Sequence, residues 1–544
     1  MRVLLASTAL VLGISCASPQ EPPGQAEHGD TIRTHTQLVL VPLVVTDSSG
    51  TPVTGLTKDA FAVEENGRPR TLALFEESNP TKQHPSQADA PAGEYRNFPQ
   101  RDELSHIIIV VIDSINTPLL RQGQAKQMLA DSLRRMTQGG VPIGLFSLTS
   151  SGLRQLHPFT ADTKALNLAL EKLKASTNLK DWADPLDAPW VDQRTVIRQT
   201  LSAMTQFARA LGTSPGRKTI IWVTAGFPFA FDDPTSIWQN GDDLGMEYEK
   251  AWRSLNSANI AIYPFDFGSA EPSSDSLPSS QATISDEQLD AMTGDSGPRS
   301  PYNFRYDVGV QQRLTMHVVA NVTGGRSCSA ISEFDKCFAQ ALQDSGAYYL
   351  LGYYLEKDAK PGWRKLRAKV SGKGLQIRSR SGFYVSPQTS QSAELRHQEL
   401  VDALASVVQY AGVQLTARRL SAETSSSSQS QSAAEKRTAS AQTSRADFEL
   451  GISGDSITIL RDKGNEIEIQ LTKLAFDSKG KCVSNFSNTL RTQLSPEMLQ
   501  EVLRAGLVIP QGIDLPVGDY EIKFAVRDNP TGKIGTVSIP LQLK

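Results

Sequence analysis

The sequence predicts an α/β protein, a central doubly wound parallel sheet flanked by two all-β domains. Three observations carry that expectation. The run His106-Ile-Ile-Ile-Val-Val-Ile-Asp113 holds six consecutive apolar residues, all β-branched, with no polar alternation, the pattern of a strand buried on both faces. Across 104–388, apolar runs of strand length alternate with segments of helical period, as in a sheet built from βα units. On either side, 36–78 and 448–544 carry strand runs separated by turn residues.

In chain order, residues 1–17 read as a signal peptide: Met1-Arg2, an apolar run from Val3 to Ile14, then Ser15-Cys16-Ala17. Cleavage after Ala17 fits small residues at the cut. The alternative is a lipid anchor at Cys16, although Gly13 stands where a lipobox wants Leu. Residues 18–35 are polar and Pro/Gly-rich, a flexible N-terminus. In 36–78 the strand Leu38–Asp47, the turn Ser48-Ser-Gly-Thr-Pro52 and the hairpin signal Glu64-Glu-Asn-Gly67 predict a small β-sandwich-like domain. Residues 79–103 form a Pro-rich linker.

In the central domain, Asp113 ends the buried strand and Pro118 opens the next helical pattern. A carboxylate is thereby placed at the carboxyl edge of the sheet, where open α/β sheets bind ligands. Further strands are expected at 142–148, 218–224, 259–265 and 347–355, with helices at 121–136, 163–174, 194–211, 247–257 and 331–345. A Ser/Asp/Gly/Pro-rich stretch, 273–303, reads as a disordered insertion. A helix and Ser-rich linker fill 389–447, and strict alternation in Glu466–Leu471 and Tyr520–Val526 predicts a β-sandwich in 448–544.

A chain of 544 residues is long enough for two to four domains. Its net charge of −3 gives no electrostatic footprint for nucleic acid. No stretch beyond the N-terminal run is long and apolar enough to be a transmembrane helix. Of the cysteines, Cys328 and Cys337 lie nine residues apart in a chain bound for an oxidising compartment, so a Cys328–Cys337 disulfide is the simplest pairing. Their spacing does not suit zinc. The enzyme signatures Gly-x-Ser-x-Gly, His-Glu-x-x-His and the dinucleotide glycine pattern are missing. Gly212–Thr219 is one residue short of a phosphate loop and precedes a strand instead of following one. The paired tyrosines 348, 349, 353 and 354 read as packing residues of a strand.

Several motifs recur in a fixed order: Val44-Val-Thr-Asp47, Gly55-Leu-Thr-Lys-Asp-Ala-Phe61, Asp113 with Asn116-Thr117, Pro215-Gly-Arg-Lys-Thr-Ile-Ile-Trp222, Asn259-Ile-Ala-Ile-Tyr-Pro-Phe-Asp266, Thr323-Gly-Gly325, Tyr348-Tyr-Leu-Leu-Gly-Tyr353, Arg378-x-Arg-x-Gly-Phe383 and Pro516-x-Gly-Asp-Tyr520. Together they resemble the von Willebrand factor A-related secreted proteins typical of acidobacteria. The resemblance implies a von Willebrand factor A-like central domain and a metal site with ligands at Asp113 and Thr117, a Thr after Leu148 or near Thr160, and the residue after Thr224. Here Ile115 and Ala225 stand where that site carries Ser and Asp, so two oxygen ligands are lost and the site is degenerate. The bland reading of Asp113 is a helix cap or a ligand of backbone amides.

The expectation is a non-enzymatic protein, secreted or in the periplasm or cell envelope, that binds an unknown protein partner there or outside the cell. Ser114, Asn116, Thr160 and Thr224 are its candidate partner-binding residues. No cofactor is expected, or only weak Mg²⁺ or Ca²⁺ binding at the degenerate site. The competing readings are a cation-dependent adhesion module with a rewired Mg/Mn site and an uncharacterised enzyme.

Overall fold

A computed structural model describes residues 38–79, 93–97, 106–136, 141–173, 190–212, 216–227, 247, 250–251, 253–255, 258–267, 315–328, 331–356, 359–385, 393–420 and 443–543. The expected signal peptide, the insertion 273–303 and the Ser-rich run lie outside these residues. The strands are β1 (Leu38–Thr46), β2 (Phe61–Glu65), β3 (Arg68–Arg70), β4 (Leu74–Ser78), β5 (Glu94–Arg96), β6 (His106–Asp113), β7 (Ile143–Thr149) and β8 (Gly152–Thr160). Then come β9 (Arg217–Thr224), β10 (Ile260–Asp266), β11 (Tyr348–Tyr354), β12 (Gly362–Val370), β13 (Gln376–Ser379), β14 (Gly382–Val385) and β15 (Leu415–Arg419). The last six are β16 (Thr443–Ile452), β17 (Glu466–Asp477), β18 (Cys482–Gln493), β19 (Leu507–Pro516), β20 (Gly518–Asp528) and β21 (Ile534–Leu543). Six helices matter to the packing: α1 (Leu119–Arg135), α2 (Thr163–Lys172), α3 (Trp190–Leu211), α4 (Phe334–Gly346), α5 (Ala393–Ala405) and α6 (Pro496–Ala505).

These elements correct the expected fold class. The described residues are 46% strand against 29% helix. They form five sheets, four of them wholly antiparallel. Parallel pairing is confined to one five-stranded sheet, β10-β9-β6-β7-β8, whose edge strand β8 runs antiparallel. A central doubly wound parallel sheet is therefore not the organising core. The buried run at 106–113 correctly signals a central strand, but the alternation that suggested further βα units also covers strands that pair antiparallel elsewhere.

The chain divides into two compact units. One takes Ile32–Ala88 and Pro99–Ser390; the other takes Asp89–Phe98 and Gln391–Lys544, together with Met1–Thr31, of which nothing is described. In the first, β1 lies between β11 and β13, and β2 pairs with β12, all antiparallel. The segment 36–78 thus has no core of its own. Its Val41, Leu43, Phe61 and Val63 share one with Tyr349, Leu351, Leu366 and Phe383. The reason is area: a few short strands cannot bury enough apolar surface alone. In the parallel sheet, Ile108, Val110 and Ile112 face Leu129 of α1, Leu166 of α2 and Phe338 of α4. The opposite face presents Phe146 and Trp222 to Phe207 of α3, with ring centroids 5.2 and 6.5 Å apart.

The second unit is a sandwich of two sheets, β19-β16-β15-β5 and β18-β17-β20-β21, around a core that includes Leu415, Phe448, Ile469, Phe524 and Val537. It is larger than 448–544. Strand β5 comes from the expected linker 79–103, and β15 from the expected linker 389–447. Asn97 holds the junction: its amide donates to the carbonyls of Tyr410 (2.7 Å) and Val413 (2.8 Å), and its side-chain oxygen accepts from Leu415 N at 2.7 Å. Among the described residues no helix is long and apolar enough to cross a membrane.

Candidate functional site

The register of the parallel sheet sets the geometry of its carboxyl edge. Asp113 is level with Leu148, Ile112 with Val223, and Thr224 with Asp266. Four strand ends therefore finish side by side, and the described residues that follow Asp113, Thr149, Thr224 and Asp266 lie at this rim.

Asp113 sits at the centre of this edge and is 0% exposed. Its Oδ1 accepts from Asn116 N at 3.0 Å. Its Oδ2 accepts from Asn116 Nδ2 and from the indole Nε1 of Trp222, both at 2.8 Å. Asn116 is held in turn, donating to Thr200 Oγ1 on α3 at 2.9 Å. Burial pushes the Asp113 carboxyl up to about 6, against the opposing pull of the Trp222 and Asn116 donors. Asp113 is thus a ligand of loop amides and not the cap of α1, whose N-cap residue is Pro118 and receives no side-chain cap. Ile115, standing where the resemblance wants a Ser ligand, is buried at 5% exposure.

The structure places the other candidates as follows. Ser114 is buried and its N–H donates to Leu148 O at 2.9 Å. Thr117 is buried beside it, and Gln122 Nε2 ties the two together by donating to Ser114 O (3.0 Å) and Thr117 O (2.9 Å). The Thr224 hydroxyl is buried and donates to Gly226 O at 2.8 Å. Thr160 does not belong to this edge: β8 runs back along β7, so Thr160 pairs with Ile143 at the opposite end of the sheet. Thr149 is the Thr that follows Leu148, with its hydroxyl 2.9 Å from Ser151 Oγ. Of the candidate partner-binding residues Ser114, Asn116, Thr160 and Thr224, therefore, Ser114, Asn116 and Thr224 lie at the edge but are buried or engaged internally, and Thr160 lies elsewhere. Among the described residues at the rim, Ser151 and Pro118 are exposed and Ala225 is partly exposed. Among the described residues no three His, Cys, Asp or Glu side chains are grouped to hold a metal ion.

Cys328 and Cys337 form a disulfide with a Cα–Cα distance of 6.1 Å. It ties the start of α4 to the rim, because Cys328 continues the sheet beside β10: Cys328 N donates to Pro264 O at 2.8 Å and Asp266 N to Cys328 O at 2.9 Å. The preceding Ser327 has its Oγ 2.5 Å from His317 Nδ1. Ser327 is 8% exposed, and burial holds the His317 imidazole below its ordinary range.

The sequence did not reveal the buried polar cluster at the other, amino edge. There Arg217, Tyr263, Gly324, Asp344 and Arg378 meet. Arg378 makes a two-pronged ion pair with Asp344, Nη1–Oδ2 2.7 Å and Nη2–Oδ1 2.8 Å, and the Tyr263 hydroxyl donates to Asp344 Oδ2 at 2.9 Å. The usable signal was Arg217-Lys218 leading straight into the apolar run Ile220-Ile-Trp-Val223: all eight residues of β9 are buried.

No family model and no curated protein matches the chain. Among solved structures, the pilus adhesin SpaC from Lactobacillus rhamnosus GG aligns with 90% of this chain and 58% of its own, at 10% identity and a TM-score of 0.25. The chain therefore spans little more than half of that adhesin, and a likeness at this TM-score carries no argument about fold or function.

Proposed function

We propose that this is an exported, non-enzymatic binding protein that engages a protein partner in the cell envelope or outside the cell through the carboxyl-edge loops of its parallel sheet. The observation that carries the reading is the commitment of Asp113. Its carboxylate is sealed from solvent, and both oxygens are taken by Asn116 and Trp222. A carboxylate so placed stabilises a loop; it offers no oxygen to a cation and no base to a substrate. Among the described residues, the rim presents the Thr149–Gly152 turn, Ala225 and a strand end clamped by a disulfide. The disulfide fits an oxidising compartment, and the sequence resemblance to secreted von Willebrand factor A-related proteins points the same way.

The test is capture of partners from an envelope extract by the full chain, with two variants. Ser151→Arg places a bulky charge on the rim, and Lys164→Glu alters the start of α2 beyond the opposite end of β8. Capture lost with Ser151→Arg, kept with Lys164→Glu and indifferent to EDTA is expected. EDTA-sensitive capture, or Mg²⁺ or Mn²⁺ affinity well below the ~10⁻³ M of weak extracellular sites, favours the cation-dependent adhesion module. Labelling of Ser327 by a fluorophosphonate reopens the enzyme reading.

A further inference from the structure

We propose that the amino edge of the parallel sheet contains a buried binding site for a small inorganic monoanion of the chloride class, centred on Arg217. Arg217 is 1% exposed. Its Nη2 donates to Tyr263 OH at 3.2 Å and to Gly324 O at 2.6 Å, while its Nε and Nη1 are buried with no protein acceptor. The charges around it do not balance. Asp344, 1% exposed, is already shared by the Arg378 guanidinium and the Tyr263 hydroxyl. Arg326, a third guanidinium, also lies within the field of Asp344 and Arg378. Arg378 takes that carboxylate and Arg326 is partly exposed, so Arg217, fully buried, is left without a carboxylate of its own.

A buried lysine can shed its charge by losing a proton, but a guanidinium cannot. Leaving such a charge buried and uncompensated is strongly unfavourable, as is leaving its N–H donors without acceptors. One monoanion answers both needs, supplying a single negative charge and accepting from Nε or Nη1. A doubly charged oxyanion such as sulfate would bring one charge more than Arg217 alone offsets. Around it the neighbouring backbone closes in where glycine leaves room for it. A Cβ on Gly324 would lie 2.9 Å from Arg380 N, and one on Gly325 would lie 1.9 Å from Ile262 O. The motifs at 215–222, 259–266, 323–325 and 378–383 thus converge on this one place, which the partner-binding reading does not use.

Thermal unfolding of the full chain in sodium chloride and in sodium gluconate, at matched ionic strength and pH, tests the proposal. Chloride is expected to raise the midpoint by about 2–4 °C, saturating as a bound ligand does. Arg217→Met should lose that increment. Because this variant can fail to fold, crystals of the unaltered protein soaked in bromide provide a second measurement, with an anomalous peak expected within hydrogen-bonding contact of Arg217 Nε or Nη1. Equal midpoints in the two salts, or ordinary water in place of the bromide peak, overturn the proposal.

Discussion

Asp113 has a titration behaviour that an exposed carboxylate lacks. Its carboxyl is raised from 3.8 to about 6 by burial, so between these values the folded chain holds a proton that the unfolded chain has released. Stability therefore falls as pH rises through that window, by ~3 kcal/mol at ~1.4 kcal/mol per pH unit. The expected outcome is a decline in unfolding free energy between pH 4 and pH 6.5 that Asp113→Ala flattens, measured by denaturant titration at each pH. The same variant strands the Trp222 indole N–H and the Asn116 amide without their acceptor, at ~1–3 kcal/mol for each buried group. Its deficit should accordingly be largest near pH 4 and shrink toward pH 7. A deficit that grows with pH would mean that the carboxylate is stabilised, not penalised, in its charged form.

At the scale of elements, the turn Thr323-Gly-Gly325 shows why a short motif can be demanding. Thr323 Oγ1 accepts from Ile262 N at 3.0 Å and donates to Val319 O at 2.7 Å, which pins the turn against β10. Gly324 has φ +77°, and Gly325 packs backbone to backbone against Ile262. Gly325→Ala should cost ~3 kcal/mol or more by forcing these backbones apart, read as a drop in the urea midpoint with an unchanged slope. Strands that are apolar throughout, such as β6, β9 and β10, were legible in the sequence because burial on both faces leaves a continuous run. Strand β8 was not, and of β18 only the end from Leu490 was, because their burial is irregular or mostly exposed and no clean period survives. Helix α6 was also missed, although Ser495, whose hydroxyl accepts from Met498 N, and Pro496 are start signals. At the site, Asp113 was legible as a strand-end acid. Its burial was not, because the Trp222 that seals it is about a hundred residues away in the chain and meets it only through strand pairing.

At the scale of the whole molecule, both units are discontinuous in sequence. A fragment beginning near Phe448 would keep only the second half of β16 and lose β15 and β5, which pair with it in turn. Cleavage in the Ser-rich run would leave such a fragment lacking one side of its own sheet. A chain nicked between 420 and 443 should instead elute as one species under native conditions and separate only in denaturant; release of a folded C-terminal piece on native size exclusion would refute this. The pairing of β1 with β11 has a further consequence, in time. Tyr349 donates to Val53 O across 296 residues of chain. At the ~5–20 residues per second of synthesis, β1 and β4 wait about 15–60 s for the β11 that pairs with both. Through that interval β1, with its run of apolar residues, is an unpaired edge and a template for misassociation, so the yield of folded protein should depend on how well a chaperone covers residues 38–78 while the rest is being made.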